Sequence, residues 1–277
     1  MKKIGFIGYG SMGNMIINGL LSKKALNENQ IIISNRTKSK LDSLKKEYPQ
    51  IEITDDNQYL SSKCDKIFLF VGINAVKEVI EDIKVNNSEI PYIIYISAAL
   101  TIENVENIFK GKITRVIPSL TSEVAEGVSL IHHNEEVTKN EAEFVNQIFN
   151  SISTVKIIEE YDFEVGSDLT SCAPAFIAKI FIEFAKKGAE KSNINQKEAE
   201  DMVIKTLYGT AKLLHDENMD FEELISRVAT KGGITEEGIK VLDKELSSLF
   251  DKLFKTTQIK YETIKEGLNE QYKNKSQ

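Results

Sequence analysis

The chain has 277 residues and a mass of 31.2 kDa, which is long enough for two domains and a sizeable buried core. Hydrophobic residues make up 41% and charged residues 28%, a balance typical of globular proteins that excludes collagen-like, solenoid and disordered classes. The net charge is −7 with lysines and glutamates interspersed, so no basic stripe is available for nucleic acid.

The cysteine content indicates the compartment. Only Cys64 and Cys172 are present, too few for a disulfide framework or a zinc site, so we expect a cytoplasmic protein without a metal. The first residues lack the small-residue cleavage site of a signal peptide. We find no run of about 18 apolar residues, and therefore expect no membrane span.

In the first half of the chain, short apolar runs alternate with segments of helical periodicity, the pattern of a mostly parallel, doubly wound sheet. The predicted strands are Ile4–Ile7, Ile31–Ser34, Lys66–Val71, Tyr92–Ser97, Thr114–Ile117, Val128–His132 and Val155–Glu159. The predicted helices are Met12–Ser22, Lys38–Tyr48, Ala75–Lys84, Ile102–Phe109 and Lys139–Phe149. We assign residues 1–160 to this α/β domain.

From Tyr161 onward the pattern predicts helices alone, so we assign residues 161–277 to a helical domain. The stretch Pro174–Lys187 is apolar almost all round, which predicts burial on every side. Because one small helical domain has little room for such a helix, it indicates a partner chain. The tail from Asn269 is polar, and we expect it to fray.

A glycine-rich loop follows the first strand. Gly8-Tyr9-Gly10-Ser11-Met12-Gly13 matches G-x-G-x-x-G between a strand and a helix. The glycines allow a tight turn and close approach of the backbone to a pyrophosphate, which the N–H groups and dipole of the helix start bind. The alternative is a plain strand-to-helix turn. The position inside a βαβ unit favours a dinucleotide, and therefore a Rossmann domain.

The end of the second strand indicates which dinucleotide. An NAD site places a carboxylate about 20 residues after the glycines, but this chain has Asn35-Arg36-Thr37 there, followed by Lys38 and Lys40. A guanidinium, hydroxyls and ammonium groups suit a 2′-phosphate, so we expect NADPH. In the alternative interpretation, these residues form the solvated start of a helix.

A second glycine motif lies in the helical half, within Val228–Ile239. One interpretation is a helix end, a Gly232-Gly233 turn, and Thr235 as the N-cap of the next helix. The other is a site for a small carboxylate, bound by the N–H groups of the glycines and the helix start. In that case Glu236 has to point away.

Several motifs resemble pyrroline-5-carboxylate reductases, in the order in which that family carries them. They are Ile4–Gly13, Arg115-Val116-Ile117-Pro118 with Glu126-Gly127-Val128, Pro174-Ala175-Phe176, and Leu224-x-x-x-Val228-Ala229-Thr230-x-Gly232-Gly233-x-Thr235-x-x-Gly238-Ile239. The resemblance implies a helical C-terminal domain that dimerises, forming a homodimer or higher homo-oligomer. It also implies NAD(P)H-dependent reduction of 1-pyrroline-5-carboxylate, a small molecule, to proline.

The resemblance also assigns site residues. It implies that Thr235 is the catalytic group near the imine nitrogen and that the turn, through Thr230, Gly232 and Gly233, binds the substrate carboxylate. The expected cofactor site comprises Gly8, Gly10, Ser11, Met12, Gly13, Asn35, Arg36, Thr37 and Val71. We interpret the three histidines as structural or solvated, and Cys172 as a small buried residue rather than a reactive thiol.

The chain departs from the family's usual residues at Gly72, Ser119, Thr121 and Cys172. Val-Ile-Pro-Ser at 116–119 and Ser171-Cys172 resemble more closely a subgroup encoded in late-competence operons. Three hypotheses follow: an active NADPH-preferring reductase, a nucleotide-binding paralogue with a regulatory role and little turnover, and a β-hydroxyacid dehydrogenase. The third lacks the lysine–asparagine pair of its family, since Lys179 is followed four residues later by Glu183.

Overall fold

A computed structural model describes residues 3–84 and 90–273. The chain divides into two compact units. The sheet unit comprises Met1–Ala173 together with Gln258–Gln277, and the helical unit comprises Pro174–Thr257. These bounds differ from the predicted division at residue 160, because the chain continues in the sheet unit to residue 173 and later returns to it. The division at residue 160 stays a prediction for the functional domains.

The sheet unit is built on one eight-stranded sheet in the order β3-β2-β1-β4-β5-β6-β7-β8. All neighbouring pairs are parallel except β6 with β7. The strands are β1 (Lys3–Ile7), β2 (Ile31–Ser34), β3 (Glu52–Thr54), β4 (Cys64–Leu69), β5 (Tyr92–Ile96), β6 (Ile113–Ile117), β7 (Gly127–His133) and β8 (Ser153–Ile157). The predicted mostly parallel sheet is confirmed.

Helices cover both faces of this sheet, because its strands carry apolar side chains on both sides. Phe6 and Phe68 lie in one buried cluster with α1 and α6, whereas Ile7 and Leu69 lie in another with α4 and α5. The helices are α1 (Ser11–Ser22), α2 (Asp42–Glu47), α3 (Asn57–Lys63), α4 (Val76–Lys84), α5 (Ile102–Glu106) and α6 (Lys139–Asn150). A continuous run of buried aliphatic residues is what a doubly covered parallel strand requires.

Two elements of the sheet unit were not predicted. Strand β3 has three residues, all half-buried, at the edge of the sheet, so it lacks a run of apolar residues. Helix α3 has seven residues, of which only Leu60 and Ser61 are buried. Elements this short carry too little periodicity to separate from a loop.

The remaining helices are α7 (Phe163–Ser167), α8 (Ala173–Glu190), α9 (Gln196–Asp216), α10 (Phe221–Val228) and α11 (Ile234–Tyr272). A π-helical turn, Asp168–Cys172, joins α7 to α8. Within the single chain only Ala185 of α8 is buried, and Phe184 is 68% exposed, so the predicted burial of Pro174–Lys187 stays a prediction that depends on a partner chain. An apolar helix with this much exposed surface requires another protein surface to cover it.

The same region bears on the expectation that no segment is apolar enough for a membrane. By length and composition alone, the helix Glu160–Glu190 passes that test, with a mean hydropathy of 1.3. It contains charged residues such as Lys179 and Glu183, so it is not an unbroken apolar run, and the absence of a membrane span stays a prediction. A single helix of this kind is weak evidence for a membrane.

The end of α11 packs on the sheet unit, and the expected fraying from Asn269 is wrong for the described residues. Leu268 and Tyr272 are 3% and 0% exposed and belong to the cluster around α4 and α5. The Asn269 Oδ1 accepts a hydrogen bond of 2.8 Å from Asn104 Nδ2. Residues 274–277 of the predicted frayed tail lie outside the described residues.

Candidate functional site

The glycine loop connects β1 to α1. At two of its three glycines, Gly8 and Gly13, the surrounding atoms leave no space for a side chain. Gly8 has φ +101°, and a Cβ there would lie 2.5 Å from the Phe70 carbonyl oxygen. A Cβ on Gly13 would lie 2.6 Å from the Gly8 carbonyl oxygen. Both distances are too short for a real contact, so the turn and the close packing of helix on strand require glycine at these positions.

Gly10 faces open space instead. A Cβ there would meet no protein atom within 4 Å, and Gly10 precedes the first turn of α1, whose first residues are Ser11 and Met12. The N–H groups of a first helical turn have no acceptor within the helix and attract anions. An open backbone beside such donors leaves room for the close approach of an anionic group such as a pyrophosphate.

Asn35 braces the loop. Its side-chain Oδ1 accepts a hydrogen bond of 3.0 Å from the Tyr9 N–H, and its Nδ2 donates one of 2.7 Å to the Thr37 carbonyl. The Gly8 N–H donates to the Ser34 carbonyl at 2.9 Å. The end of β2 therefore holds the glycine loop in place. Sequence reasoning placed Asn35 at the cofactor but missed this role.

The residues after Asn35 form an exposed basic segment. Arg36 and Thr37 are exposed, and Lys38 forms an ion pair of 3.0 Å with Asp55. That pairing with Lys38 lowers the pKa of the Asp55 carboxyl. Of the two cations that follow Asn35 most closely, Lys38 is thus engaged by a carboxylate, whereas Arg36 has no ion-pair partner among the described residues.

The end of β4 lies beside the glycine loop. Val71 is half-buried and so close to Gly8 that a Cβ on that glycine would lie 3.1 Å from Val71 Cγ1. The next residue, Gly72, is exposed and has open space around it. The structure thus brings the expected cofactor residues of β1, β2 and β4 together at the carboxyl ends of three adjacent strands, where dinucleotides bind in such sheets.

Two further departures from the family's residues, Ser119 and Thr121, follow β6. Ser119 is 1% exposed, and its hydroxyl donates to the Thr170 carbonyl in the π-helical turn at 3.0 Å. The same hydroxyl lies 3.0 Å from Thr121 Oγ1. Ser119 has satisfied hydrogen bonds within the protein and a structural role at this strand end.

The second glycine motif lies in the helical unit, between α10 and α11. Gly232 has φ +74°, a conformation that favours glycine. The Gly233 N–H donates to the Thr230 carbonyl at 2.8 Å, and a Cβ on Gly233 would lie 2.6 Å from Thr230 Oγ1. The motif is a tight turn directly before a long helix, as both interpretations of its sequence required.

Two expectations about this turn are wrong. Helix α11 begins at Ile234, so Thr235 is its second residue rather than its N-cap, and the Thr235 side chain is exposed. Glu236 does not point away: its Oε2 accepts a hydrogen bond of 2.8 Å from the Gly232 N–H. The carboxylate of Glu236 reaches back to the turn because a side chain at the third helical position can bond the N–H groups that precede the helix.

The other titratable residues singled out in the sequence have partners in the structure. His132 and His133 lie 2.9 Å from the Ile158 carbonyl and 2.6 Å from Thr114 Oγ1, and His215 lies 2.9 Å from Asp216. Burial lowers the pKa of His133 and raises that of Cys172. Within residues 3–84 and 90–273, no cluster of three or more His, Cys, Asp and Glu side chains is arranged to hold a metal ion.

Comparison with known proteins shows similarity over both halves of the chain. The family model described as pyrroline-5-carboxylate reductase dimerisation matches residues 160–264, and the model described as NADP oxidoreductase, coenzyme F420-dependent, matches residues 3–99. Pyrroline-5-carboxylate reductase 3 of Bacillus subtilis is 38% identical over 272 residues, covering 98% of this chain and 100% of the relative.

Two more similarities bear on the subgroup and the fold. ComE operon protein 4 of Bacillus subtilis is 30% identical over 276 residues, covering 98% of this chain and 99% of the relative. The crystal structure of Plasmodium falciparum pyrroline carboxylate reductase with NADP bound has a TM-score of 0.79 at 22% identity, covering 96% of this chain and 97% of that one. The late-competence resemblance is confirmed, although identity to reductase 3 is higher.

Proposed function

The chain belongs to the pyrroline-5-carboxylate reductase family, and we propose on that premise that it reduces 1-pyrroline-5-carboxylate to L-proline with NADPH. The observation that carries the proposal is the 38% identity to a pyrroline-5-carboxylate reductase along the entire length of that relative. Family membership excludes the β-hydroxyacid dehydrogenase hypothesis. The comparisons give no support to a regulatory role with little turnover.

The cofactor site fits NADPH. Gly10 and the N–H groups of Ser11, Met12 and Gly13 would hold the pyrophosphate, while Asn35 holds the loop in place from the end of β2. Arg36 and Thr37 would hold the 2′-phosphate, and residues 34–40 contain no carboxylate that would repel it. When bound, NADPH supplies the hydride that the imine carbon accepts.

The substrate groups lie in the helical unit, in the turn Thr230–Gly233 and the start of α11. The Thr235 side chain is exposed in the first turn of α11, and its hydroxyl would hydrogen-bond the ring nitrogen of the substrate. The N–H groups of the turn and of the helix start would bind the substrate carboxylate. Glu236 bonds the Gly232 N–H in the free protein, so a substrate carboxylate using that donor displaces it. Orientation and electrostatic stabilisation suffice for this reaction, because hydride transfer to a cyclic imine needs no nucleophile.

The assembly is a homodimer or a higher homo-oligomer through the C-terminal helices. The dimerisation model covers residues 160–264, and the apolar side chains exposed in this region are those a partner chain would cover. They include Ile177, Ile180, Ile182, Phe184, Met202, Ile204 and Tyr208. An isologous interface burying this face is expected of an obligate dimer. Sedimentation at micromolar concentration should give at least twice 31.2 kDa, whereas a stable monomer would contradict the proposal.

The location is cytoplasmic. Cys64 and Cys172 are both free thiols, consistent with a reducing compartment. The apolar helix Glu160–Glu190 lies in the region matched by the dimerisation model, so a second protein chain rather than lipid covers it. With a net charge of −7, the partners are a small-molecule substrate and a second copy of the chain, not nucleic acid or a membrane.

The activity is tested by following NADPH oxidation by the purified protein. Pyrroline-5-carboxylate should be consumed with formation of proline, and a panel of other cyclic imines and of hydroxyacids should react more slowly. Tight NADPH binding without turnover on any cyclic imine would overturn the proposed activity and favour the regulatory alternative.

A further inference from the structure

Arg115 is a buried cation that joins three parts of the sheet unit. It lies on β6, is 1% exposed, and all three guanidinium nitrogens donate hydrogen bonds. Nε donates to the Ser97 carbonyl at 3.0 Å, Nη2 to the Ala98 carbonyl at 2.6 Å, and Nη1 to Glu160 Oε1 at 2.9 Å. Such pairing offsets the cost of burying the guanidinium, because desolvation of an unpaired charge is costly.

Glu160 extends this pairing to the other end of the loop that follows β5. The same Oε1 accepts a hydrogen bond of 2.7 Å from the N–H of Ile102, the first residue of α5. The ring of Phe163, which is fully buried, lies 4.2 Å from the Arg115 guanidinium carbon. The pair Arg115–Glu160 therefore holds the loop 97–101 at both of its ends, by residues 97 and 98 and by residue 102.

The loop itself is tightly folded. The Ser97 hydroxyl oxygen accepts from the N–H groups of Ala99 and Leu100, at 3.3 and 2.9 Å, and the Tyr95 hydroxyl donates to the Leu100 carbonyl at 2.9 Å. These bonds make the loop a rigid piece. Its position then depends on the anchors at its ends, of which Arg115 and Glu160 supply the charged ones.

The loop lies on the side of the sheet where the second nucleotide of a dinucleotide is expected. The strand order reverses between β1 and β4, and a dinucleotide spans that reversal with one nucleotide over each half. The basic segment at Arg36 assigns the adenosine half to β2. The nicotinamide half would therefore be held over the carboxyl ends of β4, β5 and β6, the edge from which the loop 97–101 leaves β5.

We propose that Arg115 and Glu160 are positioning residues, which set the loop 97–101 against the nicotinamide half of bound NADPH. The proposal rests on the NADPH binding of the proposed function but not on its substrate. It predicts that weakening the pair disturbs the nicotinamide half of the cofactor more than the adenosine half.

The test compares two ligands by calorimetry: NADPH and 2′-phospho-ADP-ribose, a fragment without the nicotinamide. Glu160→Gln keeps the size of the side chain and an acceptor oxygen but removes the charge that pairs with Arg115. We expect Glu160→Gln to weaken NADPH binding about five- to tenfold and fragment binding less than about twofold. This is less than the loss of a direct charge-assisted hydrogen bond to the cofactor, because the pair acts on NADPH only through the loop. Arg115→Lys, which keeps the charge but not the fork, should have the larger effect of the two.

Glu141→Gln is the matched control. Glu141 likewise forms an ion pair, of 2.6 Å, with Lys112 directly before β6, and its side chain is 22% exposed against 28% for Glu160. It lies at the opposite, amino end of that strand, so its replacement should change neither affinity. In turnover assays, Glu160→Gln should lower kcat more than it raises the KM of the imine substrate.

The outcomes separate the two proposals. Equal weakening of both ligands by Glu160→Gln, or unchanged NADPH affinity, would overturn the positioning role and leave the pair purely structural. Wild-type protein that binds NADPH without reducing pyrroline carboxylate would overturn the proposed activity while the ligand comparison still decides the role of the pair. Wild-type protein that binds no NADPH would overturn both.

Discussion

Replacing Gly10 with alanine should separate cofactor binding from folding. The backbone at Gly10 has φ −81° and ψ −166°, which any residue adopts, and a new Cβ would meet no protein atom within 4 Å. The gain in chain stiffness, about 0.4–1 kcal/mol, is offset by the poorer N-capping of alanine. The melting temperature should therefore shift by no more than about 3 °C in a chain of this size.

Binding of NADPH should fall sharply in the same variant. The added methyl group fills the space beside the first N–H groups of α1 and prevents the close approach of a phosphate. Loss of one charge-assisted hydrogen bond costs about 1.5–3 kcal/mol, which corresponds to an affinity loss of about 10- to 150-fold measured by calorimetry. The control is Gly13→Ala, whose Cβ would lie 2.6 Å from the Gly8 carbonyl, so it should lower both the melting temperature and the affinity. Wild-type affinity in Gly10→Ala would refute the position of the pyrophosphate.

Three further outcomes are expected. Arg36→Ala should weaken NADPH binding about tenfold and leave NADH unchanged, whereas Lys38→Ala, whose cation is already paired with Asp55, should weaken it less than about threefold; equal effects in a titration of both variants would remove the special role of Arg36. Thr235→Ala should lower kcat/KM by about 10- to 100-fold, with an unchanged melting temperature because Thr235 is exposed and is not the helix cap; Thr235→Ser should recover most of the rate, and full activity of Thr235→Ala would contradict its contact with the ring nitrogen. Because burial raises the pKa of the Cys172 thiol, its thiolate is scarce at neutral pH, so alkylation by iodoacetamide should be slower than for a cysteine-containing peptide and should accelerate as the pH is raised; rapid labelling at pH 7, followed by mass spectrometry against Cys172→Ser, would indicate a reactive site instead.

The glycine loop is the part of the site that the sequence predicts well, because its requirements are local. Gly8 needs a positive φ and Gly13 needs the absence of a side chain, and both follow from a strand that turns directly into a helix. The hydrogen bonds by which Asn35 holds the loop depend instead on contacts between distant parts of the chain. They exist because β1 pairs with β2 in the register Ile7 to Ser34, and a pairing register cannot be read from one strand at a time.

In the second glycine motif, the role of Thr235 depends on the residue at which α11 begins. A shift of two residues at the start of α11, from residue 236 to Ile234, moves Thr235 from the cap into the first turn, and helix ends are the least certain feature of any sequence prediction. The same shift brings Glu236 to the position from which its carboxylate reaches the Gly232 N–H. The spacing of the glycines predicts the turn. Which group accepts a hydrogen bond from the Gly232 N–H depends on how far the Glu236 side chain extends, which the spacing does not show.

The prediction that the polar tail frays was wrong for a third reason. Composition from Asn269 onward predicts a solvated end, yet Tyr272 is fully buried, because a single aromatic side chain can anchor a helix whose other faces are polar. Tertiary packing overrides composition there. The burial of Arg115 could not be predicted either, since its partners Ser97 and Glu160 are 18 and 45 residues away in sequence.

The return of α11 makes the helical unit an insertion in the sheet unit rather than an appendix to it. The chain leaves the sheet unit after Ala173 and re-enters it at Gln258, and the re-entering segment completes a hydrophobic cluster through Leu268 and Tyr272. A fragment ending at residue 160 would expose the apolar face of that cluster and lose Phe163, whose buried ring packs on the Arg115 guanidinium. Expressed alone, the nucleotide-binding half should therefore aggregate or bind NADPH poorly, and adding residues 258–273 through a short linker should restore its solubility.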